Sequence, residues 1–147
     1  MCLLITSRTP KIADRDLTCY KVMLKDKKTG IILTPYEMVR PNPDVLSGYV
    51  NFKASHSNLT ADELIHEVGD STMNKFYPEL IGKIEEGYIH TYMFVNNAQD
   101  DMGHELFAKQ DYLLFRCVIP KGTEYFDGTY AGWPCLASRE IKFQGVV

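Results

Sequence analysis

Residues 115–128 have the sequence FRCVIPKGTEYFDG, and residues 137–143 have the sequence ASREIKF. An apolar run enters a Pro-Lys-Gly turn at Pro120, and a short aromatic run follows the turn. After a loop, a last run carries Glu140 among apolar neighbours. The stretch predicts two strands joined by a tight turn, then a closing strand. A carboxylate on a sheet edge beside such a turn is placed to face a ligand cleft.

Further strands are predicted on both sides of this stretch. Residues 112–119 form a near-continuous apolar run, which is typical of a strand buried on both faces. We expect this strand to be central, between the His90 strand and the Arg139 strand. Residues 17–24 predict another strand, with residues 25–30 as a hairpin loop and residues 31–34 as its partner. Shorter or later strands are predicted at residues 48–52, 87–95, 123–126 and 139–146.

Three segments have helical signals. Thr60 precedes Glu63 by three residues and forms a capping box before an apolar pair, so a helix is predicted to begin near Thr60. Further helices are predicted over residues 73–86 and 96–109, the latter capped by Asn96 or Asn97. Helices and strands do not alternate regularly. The chain is therefore predicted to be a single α+β domain over residues 1–147, with a curved, mostly antiparallel sheet and two or three helices.

Composition excludes several function classes. The net charge of −3 gives no general basic field for nucleic acid. The four cysteines lack CxxC spacing and the histidines are scattered, so no metal site is expected. The apolar start at residues 1–5 is too short for a membrane span. We expect a cytoplasmic protein with reduced thiols and no membrane contact.

The segment His90-Thr91-Tyr92 is a candidate ligand site. Strand alternation places His90 and Tyr92 on one face together with Tyr88 and Phe94. Such a wall of rings can stack a nucleobase or a nicotinamide while His90 donates a hydrogen bond. The alternative is an aromatic core face with a satisfied histidine, and the residues alone leave both interpretations open.

Glu140 and Cys2 are candidate catalytic residues. A fixed carboxylate at Glu140 could bond a sugar hydroxyl and stabilise an oxocarbenium-like centre, because an anion favours the positive charge that develops there. The alternative for Glu140 is an ordinary solvent-facing strand residue. If Met1 were removed, Cys2 could act as the nucleophile of an N-terminal-Cys hydrolase, with its own α-amine as base.

Three segments in order resemble the ADP-ribosyltransferase-like fold. Residues 19–22 are similar to the family's first motif strand, where Tyr20 or Lys21 stands in place of an Arg or His that holds NAD. Residues 87–92 resemble the middle strand with its Ser-Thr-Ser signature, of which Thr91 keeps the central hydroxyl. Residues 119–123 and 138–141 resemble the closing turn and the Glu-x-Glu motif, with Ser138 in place of the first Glu. The resemblance implies that Glu140 is the catalytic carboxylate and that NAD or a derived nucleotide is the cofactor.

The incomplete motifs favour a binder over an enzyme. We expect a small binding protein that holds a nucleotide-type small molecule, or a host protein, in a cleft of this degenerate fold. The predicted ligand-binding residues are Tyr20, His90, Thr91, Tyr92, Ser138 and Arg139. The alternatives are an active NAD-dependent ADP-ribosyltransferase using Glu140 and an N-terminal-Cys hydrolase using Cys2. The chain also resembles small proteins of phages and gut bacteria that begin Met-Cys-Leu, which implies a phage origin but no particular activity.

Overall fold

The structure is a computed structural model that describes residues 3–68, 78–102 and 110–147. Within these ranges the strands are β1 (Leu3–Ile5), β2 (Lys11–Ile12), β3 (Leu17–Asp26), β4 (Ile32–Leu33), β5 (Phe52–Lys53), β6 (Ile65–His66), β7 (Gly82–Ile84), β8 (Ile89–Tyr92), β9 (Gln110–Ile119), β10 (Glu124–Tyr130), β11 (Trp133–Ser138) and β12 (Glu140–Val146). The helices are α1 (Pro43–Leu46), α2 (Ala61–Leu64) and α3 (Val95–Met102).

The strands form one open sheet, and every pair in it is antiparallel. The main path runs β5-β12-β9-β3-β8-β11-β10-β1-β7-β6, while β2 pairs with β10 and β4 pairs with β3. The predicted α+β class with a mostly antiparallel sheet is confirmed.

Strand β9 is central in one half of the sheet, as its apolar run predicts. Every residue of β3 has a partner in β9, from Leu17 opposite Ile119 to Asp26 opposite Gln110. On its other side β9 pairs with β12. The prediction that the Arg139 strand, β12, neighbours β9 is confirmed. The prediction that the His90 strand, β8, is the other neighbour of β9 is wrong. Strand β3 takes that place because it is as long as β9, whereas β8 has four residues.

The sheet carries a separate apolar core on each face. The first, here the Tyr92 face, includes Val22, Tyr88, Tyr92, Leu114 and Ala137. The second, here the Cys19 face, includes Cys19, Met23, Phe115, Cys117, Ile141 and Phe143. Residues alternate between the two faces along each central strand, as the period of two requires. Both faces are covered, so polar side chains of β8 are also buried.

Two locally encoded elements form as predicted. Strand β4 pairs with β3 through Leu24 opposite Leu33, and the hairpin loop ends at Gly30 with a φ of 72°. At α2, the Thr60 side chain accepts from the Glu63 backbone N–H, and the Glu63 side chain accepts from the Thr60 backbone N–H. The capping box therefore starts a helix, but that helix ends after one turn because the chain enters β6 at Ile65.

Other boundaries differ from the sequence prediction. Residues 82–84 are strand β7 rather than the end of a helix over 73–86, because Leu3 to Ile5 of β1 pair with them. Residues 73–77 of that prediction lie outside the described residues. Helix α3 begins at Val95, one residue before the predicted cap at Asn96, and residues 103–109 of that prediction also lie outside the described residues. The strand predicted at residues 87–95 is limited to β8, and the one predicted at 48–52 begins only at Phe52.

Strand β11 was not predicted at all. It contains Pro134, which lacks a backbone N–H and argues against an inner strand. In the structure Pro134 is the register partner of Thr129 in β10, and its carbonyl oxygen accepts from the backbone N–H of Met93 at 3.3 Å. None of the helices within the described ranges has the length and apolar character that crossing a membrane requires.

Candidate functional site

A cavity opens where β3 and β8 separate. Strand β8 has four register partners in β11 but only one in β3, the pair Tyr20 and Tyr92. Beyond that pair the two strands no longer form a ladder, and a cavity of about 160 Å³ lies there. Its lining comprises Lys21, Val22, Thr34, Pro35, Tyr36, Glu37, Phe52, Lys53, Ala54, Ser55, Glu85, Tyr88, Ile89, His90, Tyr92, Asp101 and Tyr112.

Lys21 bridges the separated strands. Its Nζ donates to the backbone carbonyl oxygen of His90 at 2.9 Å, which gives that buried carbonyl a partner from β3. Burial lowers the pKa of the Lys21 amine, and the nearby groups that oppose this shift are Cys117, Cys19 and Glu37. The interrupted ladder thus places a lysine amine with reduced basicity in the cavity wall.

His90 is a neutral, fixed imidazole. It is 8% exposed, and its Nε2 lies 3.0 Å from the carbonyl oxygen of Ile84. Because a carbonyl oxygen can only accept, Nε2 carries the proton and donates. Burial lowers the pKa of His90 to about 4. His90 therefore lines the cavity as an uncharged imidazole ring.

Aromatic rings supply much of the remaining wall. Tyr92 comes from β8 and Tyr88 directly precedes that strand, whereas Tyr36, Phe52 and Tyr112 come from other segments. The Tyr92 hydroxyl donates to the carboxylate of Asp101 on α3, and burial raises the pKa of Tyr92. Its orientation is fixed by this hydrogen bond. Rings held in this way present rigid apolar surfaces on which a planar ligand can stack.

The connection after β4 forms one rim of the cavity and has an unusual backbone. Tyr36 and Met38 have φ values of 66° and 56°, although neither is a glycine. The Thr34 carbonyl accepts from Met38, and its hydroxyl accepts from the Val39 backbone N–H at 3.0 Å. Left-handed non-glycine residues cost free energy and cluster at ligand-binding sites.

Arg139 has a structural position beside the cavity rather than in its wall. Its guanidinium donates to the Glu124 carboxylate at 2.8 Å and to the carbonyls of Gly87 at 3.1 Å and Leu59 at 2.6 Å. The same guanidinium lies 4.3 Å from the ring centre of Tyr88. Arg139 does not line the cavity. Its contacts orient the Tyr88 ring, which does.

The other predicted site residues do not line the cavity; they are Glu140, Thr91, Ser138 and Tyr20. Ile141 and Phe143 belong to the Cys19 face, so alternation places Glu140 on the Tyr92 face, as it does His90. Glu140 does not line the cavity, but it is the register partner of Lys53, which does. Its carboxylate accepts from Asn51 Nδ2 at 3.3 Å.

Thr91, Ser138 and Tyr20 are also outside the cavity lining. Thr91 is fully buried, and within the described part of the chain its hydroxyl has no hydrogen-bond partner of ordinary geometry. The hydroxyl interacts with the Cys19 thiol, which is a weak hydrogen-bond partner. The Ser138 hydroxyl donates to the Glu140 backbone carbonyl at 3.1 Å. Tyr20 packs against the core of the Tyr92 face.

Sequence reasoning named His90 and Tyr92 but missed most of the cavity wall. Lys21 entered only through a family resemblance, although a single lysine in an apolar strand was a usable signal. Tyr36, Asp101 and Tyr112 carried no local signal, because only the tertiary fold brings their segments together. Cys2 lies outside the described residues. Within residues 3–68, 78–102 and 110–147, no cluster of His, Cys, Asp and Glu side chains is arranged to hold a metal ion.

Comparison of the chain with protein-family models, with curated proteins and with solved structures finds no match.

Proposed function

We propose that this chain is a binding protein that holds the base or nicotinamide ring of a nucleotide-type small molecule in the cavity between β3 and β8. The observation that carries the proposal is the wall itself, in which tyrosine and phenylalanine rings surround a neutral histidine. Binding sites for small molecules combine such apolar surfaces with a few fixed polar groups.

The cavity volume indicates how much of the ligand is enclosed. An apolar cavity of about 150 Å³ accepts a benzene ring. The 160 Å³ here therefore suits one planar ring system, not a whole dinucleotide. Lys53 is exposed at the rim, where its ammonium can pair with a phosphate outside the cavity. Glu37 and Asp101 supply acceptors for exocyclic amines of a base.

A host protein is the second candidate ligand, and one observation favours it. Tyr36 lines the cavity, Met38 and Val39 follow it in the same connection, and the three are 50%, 39% and 45% exposed. Exposed apolar side chains that are grouped on a surface are typical of protein-binding sites. The free, buried Cys19, Cys117 and Cys135 fit the proposed location in a reducing cytoplasm, which is the host's if the chain is phage-encoded.

A thermal-shift screen tests the proposal. NAD, ADP-ribose, adenosine monophosphate and cyclic nucleotides are added singly to the full chain. A ligand present at about a hundred times its dissociation constant stabilises the folded state by about 2.7 kcal/mol. We expect at least one compound to raise the melting temperature. If none does up to millimolar concentration, the nucleotide-binding proposal is wrong.

The transferase alternative requires the Glu140 carboxylate to be catalytic. An ADP-ribosyltransferase using that carboxylate would turn over NAD, and Glu140→Gln would slow it by about 2.7–4 kcal/mol of transition-state stabilisation. A binder would show no NAD turnover in either form. The hydrolase alternative requires a free Cys2 amine, so an intact mass that includes Met1 excludes it.

A further inference from the structure

Lys21 is partly buried, and its side chain lines the cavity. Among the described residues, no carboxylate oxygen lies within ion-pair distance of its Nζ. Its observed hydrogen bond goes to the His90 carbonyl, a neutral acceptor. An ammonium group has three N–H donors. The hydrogen bond to His90 uses only one of these N–H groups, and Lys21 lines the cavity.

Taking an unpaired ammonium ion out of water is unfavourable, so the surroundings shift the protonation equilibrium of Lys21 towards the neutral amine. Burial lowers the pKa of Lys21, in agreement with the missing ion pair. The groups around it are the thiols of Cys117 and Cys19, the carboxylate of Glu37 and the neutral imidazole of His90. Burial also raises the pKa of both thiols, that of Cys19 to about 12, so they bring no thiolate charge.

The neutral form of a lysine amine is a nucleophile towards carbonyl carbon. We propose that the Lys21 amine forms a reversible imine with a small single-ring aldehyde or ketone that occupies this cavity. The bond to the His90 carbonyl fixes one N–H and so orients the nitrogen. The aromatic wall encloses the ring that carries the carbonyl group.

The reaction needs no oxidant, reductant or further reactant. The nitrogen lone pair forms the C–N bond, and the carbonyl π pair moves to oxygen. One proton passes from nitrogen to that oxygen and gives a carbinolamine. The nitrogen lone pair then forms the C=N bond while the C–O bond breaks, and the oxygen leaves as water with the second amine proton. Amine and carbonyl compound thus become imine and one water molecule.

This inference concerns the same cavity as the proposed function but does not depend on nucleotide binding. Each unit by which a lysine pKa falls raises the neutral fraction near pH 7 about tenfold. Lys21 should therefore react ahead of exposed lysines at that pH. Lys25 lies on the same strand and Lys27 in the following loop, and both are exposed. They serve as internal references.

The experiment treats the full chain near pH 7 with salicylaldehyde, in less than molar equivalence, and with cyanoborohydride to trap the imine as a stable amine. Peptide mass mapping then gives the adduct at each lysine. We expect the adduct yield on Lys21 to exceed that on Lys25 and on Lys27. Equal labelling of the three lysines, or labelling of Lys21 only in denaturant, overturns the proposal.

Two variants extend the test. Lys21→Met keeps the apolar stem and removes the amine, and we expect the dominant adduct to disappear. The matched control Lys25→Met should leave it unchanged. A dominant adduct that persists on another residue in Lys21→Met overturns the proposal, and the wild-type map decides the matter if that variant does not fold. A Lys21 adduct without any nucleotide-induced thermal shift supports the imine and contradicts only the nucleotide proposal. The reverse result contradicts only the imine.

Discussion

At the residue scale, Thr91 is a predicted ligand-binding residue whose side chain the fold buries completely. Its hydroxyl is 0% exposed and lacks an ordinary hydrogen bond within the described residues, so it is a cost to stability. We expect Thr91→Val to keep or raise the free energy of unfolding, by up to about 1 kcal/mol, because the new methyl group needs no partner. Denaturant unfolding measures this. A loss of about 2 kcal/mol or more would mean that the hydroxyl has a stabilising partner.

His90 makes stability depend on pH at the same scale. Its pKa is about 4 in the folded chain and 6.5 without the fold. Between these values the unfolded chain binds the proton more readily, so the free energy of unfolding falls as the pH falls through this window. The slope from this group reaches about 1.4 kcal/mol per pH unit, and its contribution is fully present above about pH 6.5.

The variant His90→Gln isolates this effect. It keeps a donor for the Ile84 carbonyl and does not titrate, while the neighbouring Lys21 and Tyr88 are unchanged. We expect its free energy of unfolding to decline less steeply than that of the wild type between about pH 6.5 and 4. Parallel curves for the two proteins would show that His90 is protonated equally in both states.

At the element scale, Arg139 ties the start of β12 to the segments around the cavity. It bonds Glu124 on β10, Gly87 before β8 and Leu59 before α2. A lysine cannot reproduce this planar set of donors. We expect Arg139→Lys to destabilise the fold by about 1.5–3 kcal/mol, the range for hydrogen bonds to charged groups. An unchanged unfolding midpoint would contradict this structural role.

The central strand β9 supplies a second prediction at this scale. Leu114 and Ile119 are buried on opposite faces of the sheet. Replacing either by alanine should cost about 2–5 kcal/mol, as for large-to-small changes in a packed core. Lys27→Ala in the exposed hairpin loop should cost less than about 0.5 kcal/mol. Equal shifts of the denaturant midpoint for the three variants would refute the core assignment.

The same elements show how far sequence reasoning reaches. The β3–β4 hairpin, the Thr60 capping box and β9 depend on neighbouring residues and were predictable. Strands β6, β7 and β11 depend on partners distant in sequence, and their two to six residues carry too little pattern to predict them. The candidate site follows the same rule. His90 and Tyr92 were found from the alternation of β8, whereas the separation of β3 from β8 follows from tertiary pairing alone.

At the scale of the whole molecule, the open sheet has a functional consequence. Both faces of the sheet are covered, so its central strands form a rigid frame. Within the described residues, the ladder between β3 and β8 is interrupted, and the cavity lies at that interruption. Binding groups held by strands keep their geometry better than groups held by loops. We therefore place ligand binding at this interruption.

Calorimetric titration with adenosine monophosphate tests this central claim most directly, in the wild type and in two variants. Ser55 lines the cavity, and Ser57 is exposed on the same segment but does not line it. Ser55→Trp places a large ring at the cavity, and Ser57→Trp is the matched control. The account predicts saturable binding by the wild type and by Ser57→Trp, and loss of binding in Ser55→Trp. Absence of binding in the wild type, or equal affinity in all three proteins, would contradict it.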